Sequence, residues 1–258
     1  MSIRRLIFIF LIATLIPVTS HAQKWKLRRY EANFSIGTSH FYGDIGGTKD
    51  FANAGGFKDI QLQYTRPSFA FGARYKLSGD MAVKMNFVYG FLAGSDMNSR
   101  NDGRNYSFTS TIFEPSFQFE YYLIPESRAT GSSAWFNRRG MVNNYSKVYL
   151  YLFGGLGGAF SNPVLLDSEG MPKTLENLSK FGVAFPVGLG LKFTIDSKWS
   201  LGVELGRRFT TTDYIDGYTS QFSQHNDLYD FGMFSAIYKI QTDRRGYPVF
   251  RSSPGYRR

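Results

Sequence analysis

Residues 181–195 read FGVAFPVGLGLKFTI, an unbroken alternation of two kinds of side chain. On an extended chain Phe181, Val183, Phe185, Val187, Leu189, Leu191, Phe193 and Ile195 fall on one face. Gly182, Ala184, Pro186, Gly188, Gly190, Lys192 and Thr194 fall on the other. Successive side chains of a strand point to opposite sides, so the segment has one greasy face and one small or polar face. Strands of soluble proteins run to about 5–6 residues, whereas the wall of a transmembrane β-barrel needs long strands with an apolar outside.

The same period recurs along the chain. Residues 30–42 set Tyr30, Ala32, Phe34 and Ile36 against Glu31, Asn33, Ser35 and Gly37. Residues 67–77 set Phe69, Phe71, Ala73, Tyr75 and Leu77 against Ala70, Gly72, Arg74 and Lys76. A Ser78-Gly79-Asp80 turn leads into a strand with Met81, Val83, Met85, Phe87, Tyr89 and Phe91 outward. Residues 107–123 place Phe113, Phe117, Phe119 and Tyr121 outward and Glu114, Gln118 and Glu120 inward. Residues 148–160 are apolar on both faces, so their phase is open. An Asp196-Ser197-Lys198 turn leads into a seventh strand with Trp199, Leu201, Val203 and Leu205 outward and Glu204 and Arg208 inward, and residues 227–240 supply the eighth. The expected fold is all-β: an eight-stranded antiparallel, up-and-down transmembrane barrel over residues 30–240.

Composition agrees with that architecture. Aromatic residues make up 17% of the chain and charged residues only 19%, with 27 glycines, as expected of a lipid-facing wall with interfacial aromatics. Ahead of the barrel, Arg4 and Arg5 precede an apolar run over residues 6–16, and Ser20-His21-Ala22 resembles a cleavage site. Residues 1–22 are therefore expected to be a secretory signal peptide, and the protein to reside in the cell outer membrane. With no cysteine there is neither a disulfide nor a lipidated N-terminal cysteine. No later segment offers about 18 consecutive apolar residues for a membrane helix.

Connection lengths orient the barrel. Short turns of bacterial barrels face the periplasm and long loops face outward. The turns at 78–80 and 196–198 then lie on the periplasmic side, and the long polar connections 43–58, 94–106, 161–180 and 209–226 on the outer side. One periplasmic connection, 124–147, is an exception in being long.

Charge is unevenly spread. The chain carries a formal net charge of +10, of which Arg4 and Arg5 belong to the leader. The segment 23–29 holds Lys24, Lys26, Arg28 and Arg29, and connection 124–147 holds Arg128, Arg138, Arg139 and Lys147. The tail 241–258 adds Arg244, Arg245, Arg251, Arg257 and Arg258. Trp25, Trp135 and Trp199 fall on or near the same side. This basic rim suits an acidic periplasmic protein partner or anionic headgroups, with Arg128, Arg138, Arg139, Arg244 and Arg245 as candidate docking residues. Solvated termini beside an ordinary interfacial belt would produce the same pattern. Nucleic acid is not an expected partner in this compartment.

Inward positions gather Glu31, Arg74, Lys76, Lys84, Glu114, Glu120, Lys192, Glu204 and Arg208. An eight-stranded barrel is only wide enough inside for side chains to fill it, so these charges must pair. A structural plug is the expectation, with a proton or ion path as the rarer use. Catalysis would need a nucleophile with a His and an acid near the outer rim. His40 and His225, with Ser39, Ser223 and Asp44 close in sequence, show no spacing that links them. The glycines at 154, 155, 157 and 158 lack a following Lys-Ser/Thr and lie in a strand, so they ease packing rather than hold phosphate. Asp213 and Asp216 lack the spacing of a calcium loop. No catalytic residue, cofactor or metal ligand is assigned.

Several motifs carry a family resemblance: FYGDIG at 41–46, YLYLFGGLG at 149–157, PVGLGLK at 186–192 with WSLGVELGRR at 199–208, and TDYID at 212–216. Together they resemble the PorG-type outer-membrane barrels of Bacteroidetes, which are associated with the type IX (Por) protein secretion machinery. The resemblance implies a non-enzymatic barrel that tethers a periplasmic secretion assembly to the outer membrane. Other classes compatible with the barrel are a lipid-modifying enzyme and a small ion-conducting or adhesin-like barrel.

Overall fold

The alternating segments close into a ring. The computed structural model describes residues 28–47, 62–99, 101–124, 148–173, 179–219, 226–243 and 246–249. Eight strands follow in order: β1 (Tyr30–Tyr42), β2 (Arg66–Lys76), β3 (Met81–Ser95), β4 (Ser107–Tyr122), β5 (Val148–Leu166), β6 (Phe181–Thr194), β7 (Trp199–Thr210) and β8 (Leu228–Ile240). Each strand pairs antiparallel with its sequence neighbours, and β8 returns to β1 from Tyr30↔Ile240 to Tyr42↔Leu228. Closure leaves no edge with unpaired backbone groups, which is the condition for a sheet to stand in hydrocarbon.

The outside is apolar because the alternation puts it there. Phe71 is 59% exposed and Leu156 56%, and Phe34, Phe117, Val187 and Leu205 also point outward. Exposure of this kind would be a liability in water; in a bilayer it is the solvated state. Near the short turns the outer face carries aromatic pairs, Tyr30 with Tyr75 and Trp199 with Tyr238, each 5.0 Å between ring centroids. Rings with a polar tip favour the headgroup level. Among the described residues no helix is long and apolar enough to cross a membrane.

The structure settles the phase of β5, which the residues alone leave open. Tyr149, Tyr151 and Phe153 are buried in the lumen, while Val148, Leu152 and Leu156 face lipid. Its neighbours decide this: Tyr151 lies opposite Gly190, where an added Cβ would come 2.2 Å from the ring. The glycine run allows close approach on the other side, where a Cβ at Gly155 would meet the Phe117 carbonyl at 2.2 Å. Two expected boundaries move. The fifth strand does not end at Phe160 but continues to Leu166, and the third continues to Ser95. In both cases the extension pairs with β4, as in Ser107↔Leu166 and Ser107↔Ser95, beyond the apolar alternation that sequence reading follows.

Candidate functional site

Inward side chains divide the lumen into two levels. Toward the short turns lies a belt of charge to which β1 through β7 each contribute. Register builds it: Glu31 lies opposite Arg74, and Arg74 opposite Lys84. Gln118 on β4 faces Lys84, Tyr149 on β5 faces Lys192, and Glu204 on β7 pairs with Gly190 beside them.

Arg74, only 1% exposed, is the hub. Its Nη1 donates to Glu31 Oε2 at 3.1 Å, and its Nη2 donates to Glu120 Oε1 at 2.9 Å, Glu204 Oε1 at 3.3 Å and the Tyr151 hydroxyl at 3.2 Å. Its Nε stands 2.7 Å from Glu120 Oε2. Lys192 donates to Glu31 Oε1 at 2.5 Å, with Lys76 3.0 Å from the same oxygen. Lys84 grips Glu204 at 2.6 and 2.7 Å, the Tyr151 hydroxyl donates to Glu204 at 2.6 Å, and the Tyr122 hydroxyl donates to Glu120 at 3.1 Å. A planar fork that reaches several carboxylates at once requires arginine in the centre. A second, smaller pair lies closer to the outer end: Arg208 Nε is 3.3 Å from Glu114 Oε2, and the Tyr229 hydroxyl donates to Glu114 at 2.7 Å.

Toward the long connections the lumen turns apolar. Val88, Leu92, Phe108, Ile112, Phe231 and Met233 pack into one cluster, joined from the connections by Ile45 and Ile215. Those two isoleucines come from the FYGDIG and TDYID motifs, which the fold brings together over the mouth.

The structure thus places Glu31, Arg74, Lys76, Lys84, Glu120, Lys192 and Glu204 in one network, and Glu114 with Arg208 in another. Sequence reading did not single out Tyr151, Tyr122 and Tyr229, whose hydroxyls complete both networks. It also passed over Lys239, buried and donating to Thr194 Oγ1 at 2.9 Å. Tyr151 lies in a stretch apolar on both faces, which gives no sign of which side its hydroxyl meets.

The candidate docking residues Arg128, Arg138, Arg139, Arg244 and Arg245 lie outside the described residues, as do Trp25, Trp135, the expected leader, His225 and Ser223. At the short-turn end the described basic side chains include Arg29, whose Nη1 donates to the Tyr75 hydroxyl at 3.0 Å, and the exposed Lys198. The Lys198 and Trp199 amides donate to Asp196 Oδ1 at 2.6 and 2.7 Å. Those bonds, Trp199's first, hold the Asp196 carboxyl below its usual range.

Among the described residues, Ser39 and His40 do not form an acid–base pair. Ser39 faces the lumen, and its hydroxyl donates to the carbonyls of Arg66 and Phe91. His40, the next residue, points to the other face, with Nδ1 3.4 Å from Thr65 Oγ1. Among the described residues no three His, Cys, Asp or Glu side chains are grouped to hold a metal ion.

A closed, antiparallel, eight-stranded barrel with a lipid-facing exterior and a filled lumen is an integral outer-membrane protein. The chain belongs to the family described as Domain of unknown function (DUF6089), whose pattern it matches over residues 4–239. No curated protein matches it in sequence. Among solved structures it is similar to Ail, the attachment invasion locus protein of Yersinia pestis, at 14% identity and a TM-score of 0.41, covering 81% of this chain and 98% of that one. OprG of Pseudomonas aeruginosa is 8% identical with a TM-score of 0.41, covering 83% and 98%. Neisserial surface protein A is 10% identical with a TM-score of 0.39, covering 81% and 96%.

Proposed function

We propose that this barrel is a non-enzymatic anchor, a structural component of a type IX protein secretion complex that docks a periplasmic protein through its basic rim. The observation that carries the reading is the filled lumen. An ionic belt centred on Arg74 and an apolar cluster under Ile45 and Ile215 occupy the space a solute would need. Ser39 and His40 on opposite faces of β1 leave the outer rim without a paired nucleophile and base among the described residues. With wall and lumen committed to structure, activity belongs to the ends. The short-turn end is where Arg128, Arg138, Arg139, Arg244 and Arg245 concentrate positive charge in the sequence. The motifs resembling PorG-type barrels point the same way.

Charge reversal tests the reading. Replacing Arg138, Arg139, Arg244 and Arg245 with Glu should abolish crosslinking of periplasmic proteins in intact cells while the barrel remains folded in the outer membrane. Capture that is unchanged by the four reversals overturns the docking role.

A further inference from the structure

The outer mouth holds two buried carboxyl groups that the belt does not explain. Asp216 and Asp227 are each 0% exposed. They serve the two connections that cover the lumen. Asp216 Oδ2 accepts from the Ile45 amide at 3.3 Å, and its Oδ1 from the Tyr218 amide at 2.9 Å. Asp227 Oδ2 accepts from the Ile215 amide at 2.8 Å. The main chain beside Asp227 is tied back to the same connection: its amide donates to the Thr212 carbonyl at 3.0 Å, and Thr210 Oγ1 donates to its carbonyl at 2.6 Å. Each isoleucine inserted into the lumen is therefore hung by its own amide on one of the two carboxyls.

Among the described residues neither Asp216 nor Asp227 forms an ion pair. Among the described cations at this end, Arg207 pairs with Asp230 at 2.7 Å, Lys173 bonds the Tyr106 hydroxyl at 3.1 Å, Lys180 bonds Asn162 at 2.9 Å and Arg66 bonds the Thr65 carbonyl at 3.3 Å, while Arg104 pairs with Asp96 at 2.7 Å and reaches the acids only through the Asp44 carbonyl, at 2.7 Å, and the face of Tyr218. His40 on β1 bonds Thr65, and Tyr42 lies beneath the Arg207 guanidinium. The other acids facing the pair, Asp44 from the β1–β2 connection and Asp213 from the β7–β8 connection, add charge of the same sign. Two anions buried side by side without a counter-charge are costly, and the cheapest relief is to keep a proton. Asp227 Oδ1 has room for it: this buried oxygen accepts no hydrogen bond, so protonating it displaces none.

We propose that the outer mouth is closed by a proton-held lid, in which protonated Asp216 and Asp227 keep Ile45 and Ile215 seated in the lumen and release them on ionising. Burial, with Asp44 and Asp213 nearby, pushes the Asp216 carboxyl up to about 8. Burial and then Asp216 itself raise Asp227. Both folded values lie above the ordinary aspartate value of about 3.9. The lid's stability is therefore complete below that value and is lost as pH rises through the folded values. The lid is tightest in acid and loosens steadily as pH rises toward the folded values.

The test is amide hydrogen exchange of the full-length barrel in phosphatidylcholine vesicles, corrected for base-catalysed intrinsic exchange. Protection of the Ile45 and Ile215 amides should fall as pH rises from about 4 toward the folded values, about tenfold per pH unit for each of the two protons released on opening, and level off above them. The Lys198 and Trp199 amides at the opposite end should not follow. The double variant Asp216→Asn, Asp227→Asn should keep its protection to pH 9; should that variant not fold, Asp227→Asn alone should flatten the fall. Wild-type protection that is flat to pH 9, or a fall unchanged in the folded variants, overturns the lid. So does full restoration of protection at pH 9 by millimolar calcium, which would make a metal cation the missing counter-charge.

Discussion

At the scale of single residues, Arg74 shows why buried charge in this barrel is structural. Its guanidinium is shared by Glu31, Glu120 and Glu204, so its removal leaves Glu120 with no other cation among the described residues, while Glu31 keeps Lys192 and Lys76 and Glu204 keeps Lys84. Arg74→Met should cost about 3–5 kcal/mol, the usual penalty for leaving a buried charge uncompensated. Urea titration of the barrel in detergent micelles measures it. Arg74→Lys retains the charge and should recover only part of the loss, since an ammonium cannot bridge three partners as the planar fork does. Equal stability of wild type and Arg74→Met would mean that the belt contributes nothing.

Strands behave as two independent faces, and the penalties should follow the face rather than the residue type. Leu189, in the middle of β6 with its side chain in lipid, lies next to the buried Gly190, which shares the lumen face with Lys192. Leu189→Arg should destabilise the barrel by about 2–4 kcal/mol, as a cation does near the bilayer midplane, while the native Lys192 three positions on is tolerated because it meets Glu31. Refolding equilibria in vesicles of defined thickness give the comparison. For six strands the inward and outward sets were legible from period alone, because one face was visibly polar or small, and the eighth was placed without a phase. β5 was not legible: Tyr149, Tyr151 and Phe153 are as apolar as Leu152 and Leu156, and only the space opposite Gly190 assigns them to the lumen.

For the whole molecule, the consequence is a wall closed without an open bore. Planar bilayers containing the wild-type protein at neutral pH should show no steady open-channel conductance, since side chains fill the lumen at both levels. Reproducible unitary steps would contradict the packing. Short turns at one end and lidded connections at the other leave each end with a different chemistry: one rich in basic sequence, the other in buried acids.

What the sequence determined by itself was the strand count, most of the lipid-facing set and nine of the charges turned inward. All of these follow from a period of two, a local property of the extended chain. Tertiary structure decided the phase of β5, the sharing of Arg74 among three carboxylates and the meeting of Asp216 with Asp227 beneath Ile45 and Ile215. Those depend on register around a closed ring, which sets residues such as Arg74 and Glu204, 130 positions apart, side by side. No local pattern encodes that distance.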